Sequence, residues 1–398
     1  MSRLPKGCTN VGGSLASAMQ KCRTDMISKM HSYGYQTFWP SALQLFESAW
    51  EHLPFSLRKR LITLNTPFGE PCCLRADITL AAVSFLASHF SPEERPLRLC
   101  YADRIYKTPV RPDIYLEGFQ IGAELLGWEG EGADVELIFL LLQSMDMLGL
   151  EDSFLVLGDM TFIQQLLSEI DRRTGQSLLT ALEKGSYAEY DSMLKSGRVD
   201  TYHAQRLSEI PSLKGDLTIL KEAERLLPEN KSLASLKKIL SSLEDLGYAN
   251  RLKVDLSLIR ELNYYSGPIF DVYISRHGRS LGGGGRYDGL LSSYGILGQA
   301  TGFALDLELI ASFSKYTLTV PSIMVWSGGL SPSKVFSMTE MIRQKGTPLE
   351  ISWNPNRDDS IHLARMRNLK WWVDLSESAV MELGSGEMTI LGEWIGGI

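Results

Sequence analysis

No stretch of this 398-residue chain approaches the roughly 20 uninterrupted apolar residues that span a bilayer, so no membrane segment is expected. The N-terminus, MSRLPKGCTNVGG, starts basic but has neither an apolar run nor a small-residue cleavage site behind it. A secretory signal is therefore not read there, and the cytoplasm is the expected compartment. Cysteine is scarce. The five thiols, Cys8, Cys22, Cys72, Cys73 and Cys100, make no CxxC pair and no zinc spacing, and their odd number argues against a full disulfide framework. The six histidines are scattered with no HExxH, and there is no Gly-x-Ser-x-Gly elbow, so neither a zinc protease nor a serine hydrolase is signalled. Positive charge is also short: 40 Lys and Arg against 47 Asp and Glu leave a net charge of −7. That is the wrong sign for a protein whose main task is to grip a phosphate backbone over a large face.

What is present is a globular composition, 44% hydrophobic and 22% charged, in a chain long enough for about two or three domains. Leu15, Met19, Cys22, Met26 and Met30 recur at spacings of three and four, which predicts one buried helix face ending near Gly34. A short strand ending at Pro40 follows. Residues 97–125 read as two strands joined by the loop KTPVRPDIY, and 136–148 as a helix closed by Gly149. Residues 150–247 change character. Phe162, Ile163, Leu166, Leu167 and Ile170 make one amphipathic stripe and Leu233, Leu236, Leu240 and Leu243 another, predicting a helical insertion. Strand alternation returns in IFDVYIS, and beyond Pro321 strands alternate with helices as in a small α/β unit. The expected domains are thus 1–149 and 248–316 as two parts of one core, 150–247 as the insertion, and 317–398 as the α/β unit.

The most informative segments are RELNYYSGPIFDVY at 260–273 and GGGGRYDGLLSSYG just after it. The glycine run alone reads equally well as a hairpin turn, since it lacks the GK[ST] of a phosphate loop, and Arg286 alone as a structural ion-pair partner. Along a strand through 119–124, Gln120, Gly122 and Glu124 share one face, a polar face with a gap that suits a small ligand. A free amino acid needs acceptors for its ammonium and donors for its carboxylate; histidine needs in addition an imidazole acceptor and a flat apolar wall.

Together these segments resemble the histidine-reading motifs of histidyl-tRNA synthetases, Arg-Gly-Leu-Asp-Tyr-Tyr-x-Gly followed by Gly-Gly-Arg-Tyr-Asp-Gly-Leu. The register extends to LRADIT at 74–79, EGFQIGAELLG at 117–127 and ATGFALDLEL at 300–309. The resemblance implies an α+β, class II synthetase-like fold: an antiparallel sheet flanked by helices, with 317–398 as a shortened anticodon-binding domain. It also implies a histidine site in which Asp77, Thr79 and Gln120 take the ammonium, Glu124 with Tyr264 or Tyr265 takes the imidazole, and Arg260 lies near the carboxylate. The sequence departs from the pattern at Glu261 and Asn263. It departs more where ATP is handled: the Phe-Arg-x-Glu segment is replaced by Ile105, Tyr106, Lys107 and Thr108, and the final Gly-x-Glu-Arg by Asp306, Leu307, Glu308 and Leu309. Among relatives of the synthetases, a preserved fold with a degraded ATP site resembles the regulatory subunits of short-form ATP phosphoribosyltransferases. That resemblance implies a non-catalytic partner of a separate catalytic subunit, free histidine as effector, no cofactor or metal, and a homodimer through residues 14–40 within a larger hetero-oligomer. A tRNA partner is not expected. The alternative is a divergent histidyl-tRNA synthetase or histidine-activating ligase.

Overall fold

A nine-stranded sheet organises the larger unit of the computed structural model, which describes residues 4–109, 116–260, 264–316 and 322–397. In chain order its strands are β1 (Gln36–Thr37), β2 (Leu97–Tyr106), β3 (Glu117–Leu126), β4 (Ser153–Asp159), β5 (Lys214–Gly215), β6 (Leu252–Asp255), β7 (Pro268–Ile274), β8 (His277–Arg286) and β9 (Ala300–Asp306). They lie side by side in the order β1-β2-β3-β9-β8-β7-β4-β6-β5. From β2 to β4 every pair is antiparallel. Only β1 with β2 and β4 with β6 run parallel.

Helices supply the cover. Helix Gly13–Ser32 buries Met19, Cys22, Met26 and Met30, four of the five residues of the predicted stripe, with Leu15 half-buried, and stops before Gly34, whose φ of 84° only glycine adopts without strain. Helix Ile78–His89 starts where Asp77 accepts the Leu80 amide at 2.8 Å and buries Ile78, Leu80, Ala82, Val83 and Leu86. Helix Glu131–Met147 buries Leu137, Leu140, Leu141 and Met145. An antiparallel sheet with helices packed on it is the expected α+β arrangement.

One strand assignment differs from the sequence reading, and the structure decides another that the sequence leaves open. Ser153–Asp159, inside the stretch read as helical insertion, is a strand of the main sheet held between β7 and β6, and helices begin only at Met160. Its run SFLVLGD is apolar and continuous, which periodicity does not separate from the helical stripe after it. The glycine run is likewise a strand in mid-sheet, not a turn. A Cβ at Gly283 would lie 2.1 Å from the Phe270 carbonyl oxygen and one at Gly284 2.0 Å from that of Gly302, so side chains are excluded on both sides. Gly284→Ala is expected to cost about 3 kcal/mol, the upper range for overpacking. An unchanged thermal midpoint would show that β8 and β9 separate without penalty.

The smaller unit comprises Gly12–Ser17 and Thr317–Ile398. Strands Ile323–Trp326, Leu349–Ser352 and Trp371–Asp374 pair in parallel with helices Pro332–Gln344 and Arg357–Met366 between them, as the alternation predicts. Two further antiparallel strands, Ala379–Glu382 and Met388–Ile390, extend the sheet beyond the pattern read from sequence. Ile323, Val325, Val335, Val373 and Trp394 form its core.

Candidate functional site

β3 carries the polar row. Its register with β2 sets Glu124 opposite Leu99 and Gly122 opposite Tyr101. Gly122 leaves space for the tyrosine, whose hydroxyl would lie 2.6 Å from any Cβ there. Tyr101 therefore reaches Glu124 and donates to its Oε1 at 3.1 Å, while Thr79 donates to the same oxygen at 2.7 Å. The Tyr287 hydroxyl donates to Oε2. From β9, Gly302 is the matching gap: a Cβ there would sit 1.7 Å from Oε2. Glu124 is fully buried in this cage of three hydroxyls, and burial pushes its carboxyl up to about 8 despite the donors.

Above this floor opens a cavity of about 510 Å³. Asp77, Thr79, Gln120, Arg260, Tyr264 and Tyr265 all line it, so six of the seven residues expected to read histidine converge on one space. Glu124 does not line it and acts on it only through the hydroxyls it fixes. Asp77 is buried, and that burial raises its carboxyl above the usual range against the lowering effect of the Leu80 amide. The Gln120 Oε1 is buried without a hydrogen-bond partner among the described residues, an acceptor left over inside a ligand-sized space. Tyr264 packs against Tyr265 at 5.0 Å and against Tyr287 at 5.9 Å between ring centroids, giving an aromatic wall.

Arg260 is anchored. Its Nη1 donates to the Phe270 carbonyl at 2.9 Å and pairs with Asp271, and it occupies the space that the missing Gly283 side chain leaves. Arg286 is an ion-pair partner, buried against Asp134. Sequence reasoning missed Tyr101 and Asp271 as parts of the site, and gave Tyr287 no role although it sits in the GGRYDG segment. Pairing across strands is what brings them in, and it leaves no mark in local sequence. Glu261 and Asn263 lie outside the described residues.

The outer end of the cavity is lined by Ile105, Lys107, Glu117, Arg279, Asp306, Glu308 and Leu309. Asp306 caps helix Leu307–Phe313 by accepting the Leu309 amide at 3.0 Å, so a carboxylate already occupies the helix start. Among the described lining residues the acids are Asp77, Glu117, Asp271, Asp306 and Glu308 and the bases Lys107, Arg260 and Arg279, five against three. Such a cavity favours a zwitterion or cation over a polyanion. Among the described residues no three His, Cys, Asp or Glu side chains are grouped to hold a metal, and no helix is long and apolar enough to cross a membrane.

A sheet of this topology with this pocket defines the class II histidyl-tRNA synthetase fold. The family model described as histidyl-tRNA synthetase matches residues 7–310. A solved histidyl-tRNA synthetase from Nostoc sp. superposes with a TM-score of 0.81 at 16% identity, covering 99% of this chain and 98% of that one. A structure titled ATP phosphoribosyltransferase regulatory subunit/histidyl-tRNA synthetase, from Bacillus halodurans, gives 0.83 at 24% identity over 94% and 97%. In sequence, the ATP phosphoribosyltransferase regulatory subunit of Shouchella clausii is 30% identical over 317 residues, 78% of this chain and 80% of the relative. The Moorella thermoacetica protein of the same name is 28% identical over 386 residues, 93% and 97%. The chain belongs to the ATP phosphoribosyltransferase regulatory subunit family, within the histidyl-tRNA synthetase-like group.

Proposed function

We propose that this chain is a non-catalytic subunit that activates a separate ATP phosphoribosyltransferase catalytic subunit, at the first step of histidine biosynthesis, and that free histidine bound in the cavity modulates that activation. The observation that carries the histidine reading is the convergence of Asp77, Thr79, Gln120, Arg260 and the paired tyrosines on one cavity with an acidic balance. Asp77, Thr79 and the leftover Gln120 oxygen take the ammonium. The tyrosine rings flank the imidazole, whose N–H meets the hydroxyl network fixed by Glu124, and the anchored Arg260 sets a positive charge toward the carboxylate.

The same cavity has lost ATP chemistry. Tyr106, with Lys107 beside it, and Leu309 stand where a synthetase places phosphate-clamping arginines, and Asp306 fills the helix start with negative charge. A homodimer forms across the face of β1, where Trp39, Leu43 and Leu45 are exposed beside an edge strand.

Binding in the cavity and binding to the partner are reciprocal: a ligand shifts the complex only by its differential affinity for two arrangements. The test is co-purification with a short-form catalytic subunit, mass determination of the chain alone and in the complex, and calorimetry of histidine with each. The affinities are expected to differ about fivefold or more. Equal affinities would remove histidine from the regulatory account, and failure to co-purify would remove the partner.

A further inference from the structure

The tyrosine pair runs directly into Ser266 and Gly267, and these two residues are tied to distant parts of the unit. The Ser266 amide donates to the Arg286 carbonyl at 2.9 Å, and the Ser266 hydroxyl accepts the Asp288 amide at 2.8 Å. The turn after Tyr265 and the turn that carries Tyr287 are thereby one junction. On its other side the Ser266 carbonyl accepts the Thr161 hydroxyl at 3.1 Å, and the Gly267 carbonyl accepts the Met160 amide at 3.0 Å. Met160 and Thr161 are the first residues of helix Met160–Ser168, which opens the helical stretch between β4 and β6. First-turn amides have no partner within their own helix, so this helix start is fastened to the tyrosine turn instead of to solvent.

The far end of the stretch reaches the same junction. Helix Lys231–Asp245 packs on helix Glu131–Met147, whose Asp134 holds Arg286, the neighbour of Tyr287, in a buried ion pair. The near end of the helical stretch thus grips the backbone that presents Tyr264 and Tyr265 to the cavity, and the far end reaches the neighbour of Tyr287 through the Asp134–Arg286 pair. Of these links, the Thr161 hydroxyl is a side-chain donor that can be removed while the helix backbone stays intact.

We infer that Thr161 is a positioning residue that passes occupancy of the cavity to the helical insertion, so that the insertion tightens when the tyrosine wall closes on a ligand. The inference rests on the reading of the cavity as a histidine site. A hydrogen bond is directional, and a small shift of the Ser266 carbonyl as the rings settle on an imidazole strengthens or weakens the Thr161 link. Met160 and Thr161 then carry the change into the first turn of the insertion.

Hydrogen exchange on the full chain, with and without saturating histidine and with calorimetry in parallel, tests this. In the unaltered chain and in Thr161→Ser, which keeps the hydroxyl, amides of residues 160–194 are expected to exchange about fivefold or more slower with histidine. In Thr161→Val histidine still binds, but the slowing falls below about twofold. A merely structural hydroxyl would change exchange equally with and without ligand. Histidine binding that leaves exchange in 160–194 unchanged in the native chain overturns the inference and spares the cavity reading, and so does full slowing in Thr161→Val. No calorimetric signal from the native chain removes the cavity reading and the inference with it. The native-chain measurement decides the matter should the valine variant fail to fold.

Discussion

Glu124→Ala is expected to weaken histidine binding about a hundredfold or more and to lower the melting temperature as well. The Glu124 carboxyl group is hydrogen-bonded to Thr79, Tyr101 and Tyr287, and its removal leaves three buried hydroxyls facing a void. An unsatisfied buried donor costs about 1–3 kcal/mol, and the cavity adds its own term, so two kinds of loss coincide. Glu124→Gln separates them. It fills the space and keeps an acceptor for Thr79 and Tyr101, but its amide nitrogen cannot accept from Tyr287. The glutamine variant should fold and bind histidine about tenfold more weakly. Histidine affinity untouched in both variants would place the pocket elsewhere.

The same pair of proteins reports the charge. Glu124 titrates near 8 when folded against a reference value of 4.5. Between these values the folded chain holds a proton that the unfolded chain has released, so raising the pH favours unfolding. Native stability relative to Glu124→Gln should therefore be greatest below about pH 4.5, decline toward pH 8, and level off above it. Urea unfolding of both proteins at several pH values reads this directly. A constant difference would mean that the caged carboxyl titrates like an exposed one.

Histidine-dependent exchange of pyrophosphate into ATP is expected to run at least about ten-thousandfold below that of a histidyl-tRNA synthetase. Loss of one preorganised group that stabilises transferring charge costs about a hundred- to a thousandfold, and in the proposed reading Tyr106 and Leu309 stand at two such positions. Tyr106 carries no charge in the arginine's register, the neighbouring Lys107 supplies only a point charge where a planar fork is called for, and Leu309 supplies nothing. Asp306 adds an opposing charge on the wall of the same cavity. For that reason Leu309→Arg alone should not restore exchange. A rate within tenfold of a synthetase would establish the chain as a histidine-activating ligase.

Much of the site was legible because it lies in short contiguous motifs. Asp77 and Thr79 share one segment, Gln120 and Glu124 another, and Tyr264 and Tyr265 a third; strand alternation puts Gln120 and Glu124 on one face, and the resemblance to histidyl-tRNA synthetases implies that the three segments meet. What escaped depends on pairing across strands. Tyr101 looks like any core aromatic of β2 until Gly122 is seen to clear its path to Glu124. Asp271 reads as the polar side of an alternating strand, yet it anchors Arg260. Glu124 itself reads from sequence as part of the candidate site, but its exclusion from the cavity does not, since its carboxyl is held by Tyr287 and Thr79. In the fold, the glycine run left a turn open for a physical reason: four glycines favour turns in isolation, and only neighbours on both sides make them the required residues of a strand.

β4 and β6 are parallel neighbours, and parallel neighbours need a connection that carries the chain back along the full length of a strand. Helix Lys231–Asp245, with 15 residues at about 1.5 Å each, covers that return for the seven residues of β4 at about 3.3 Å each. The helices Arg172–Glu183, Tyr187–Leu194, Thr201–Ser208 and Ile219–Leu226 therefore have no topological duty beyond the two-residue edge strand β5 among them. They form a module carried on an otherwise complete sheet, so their length is free of the constraint that the pairing of β4 with β6 imposes.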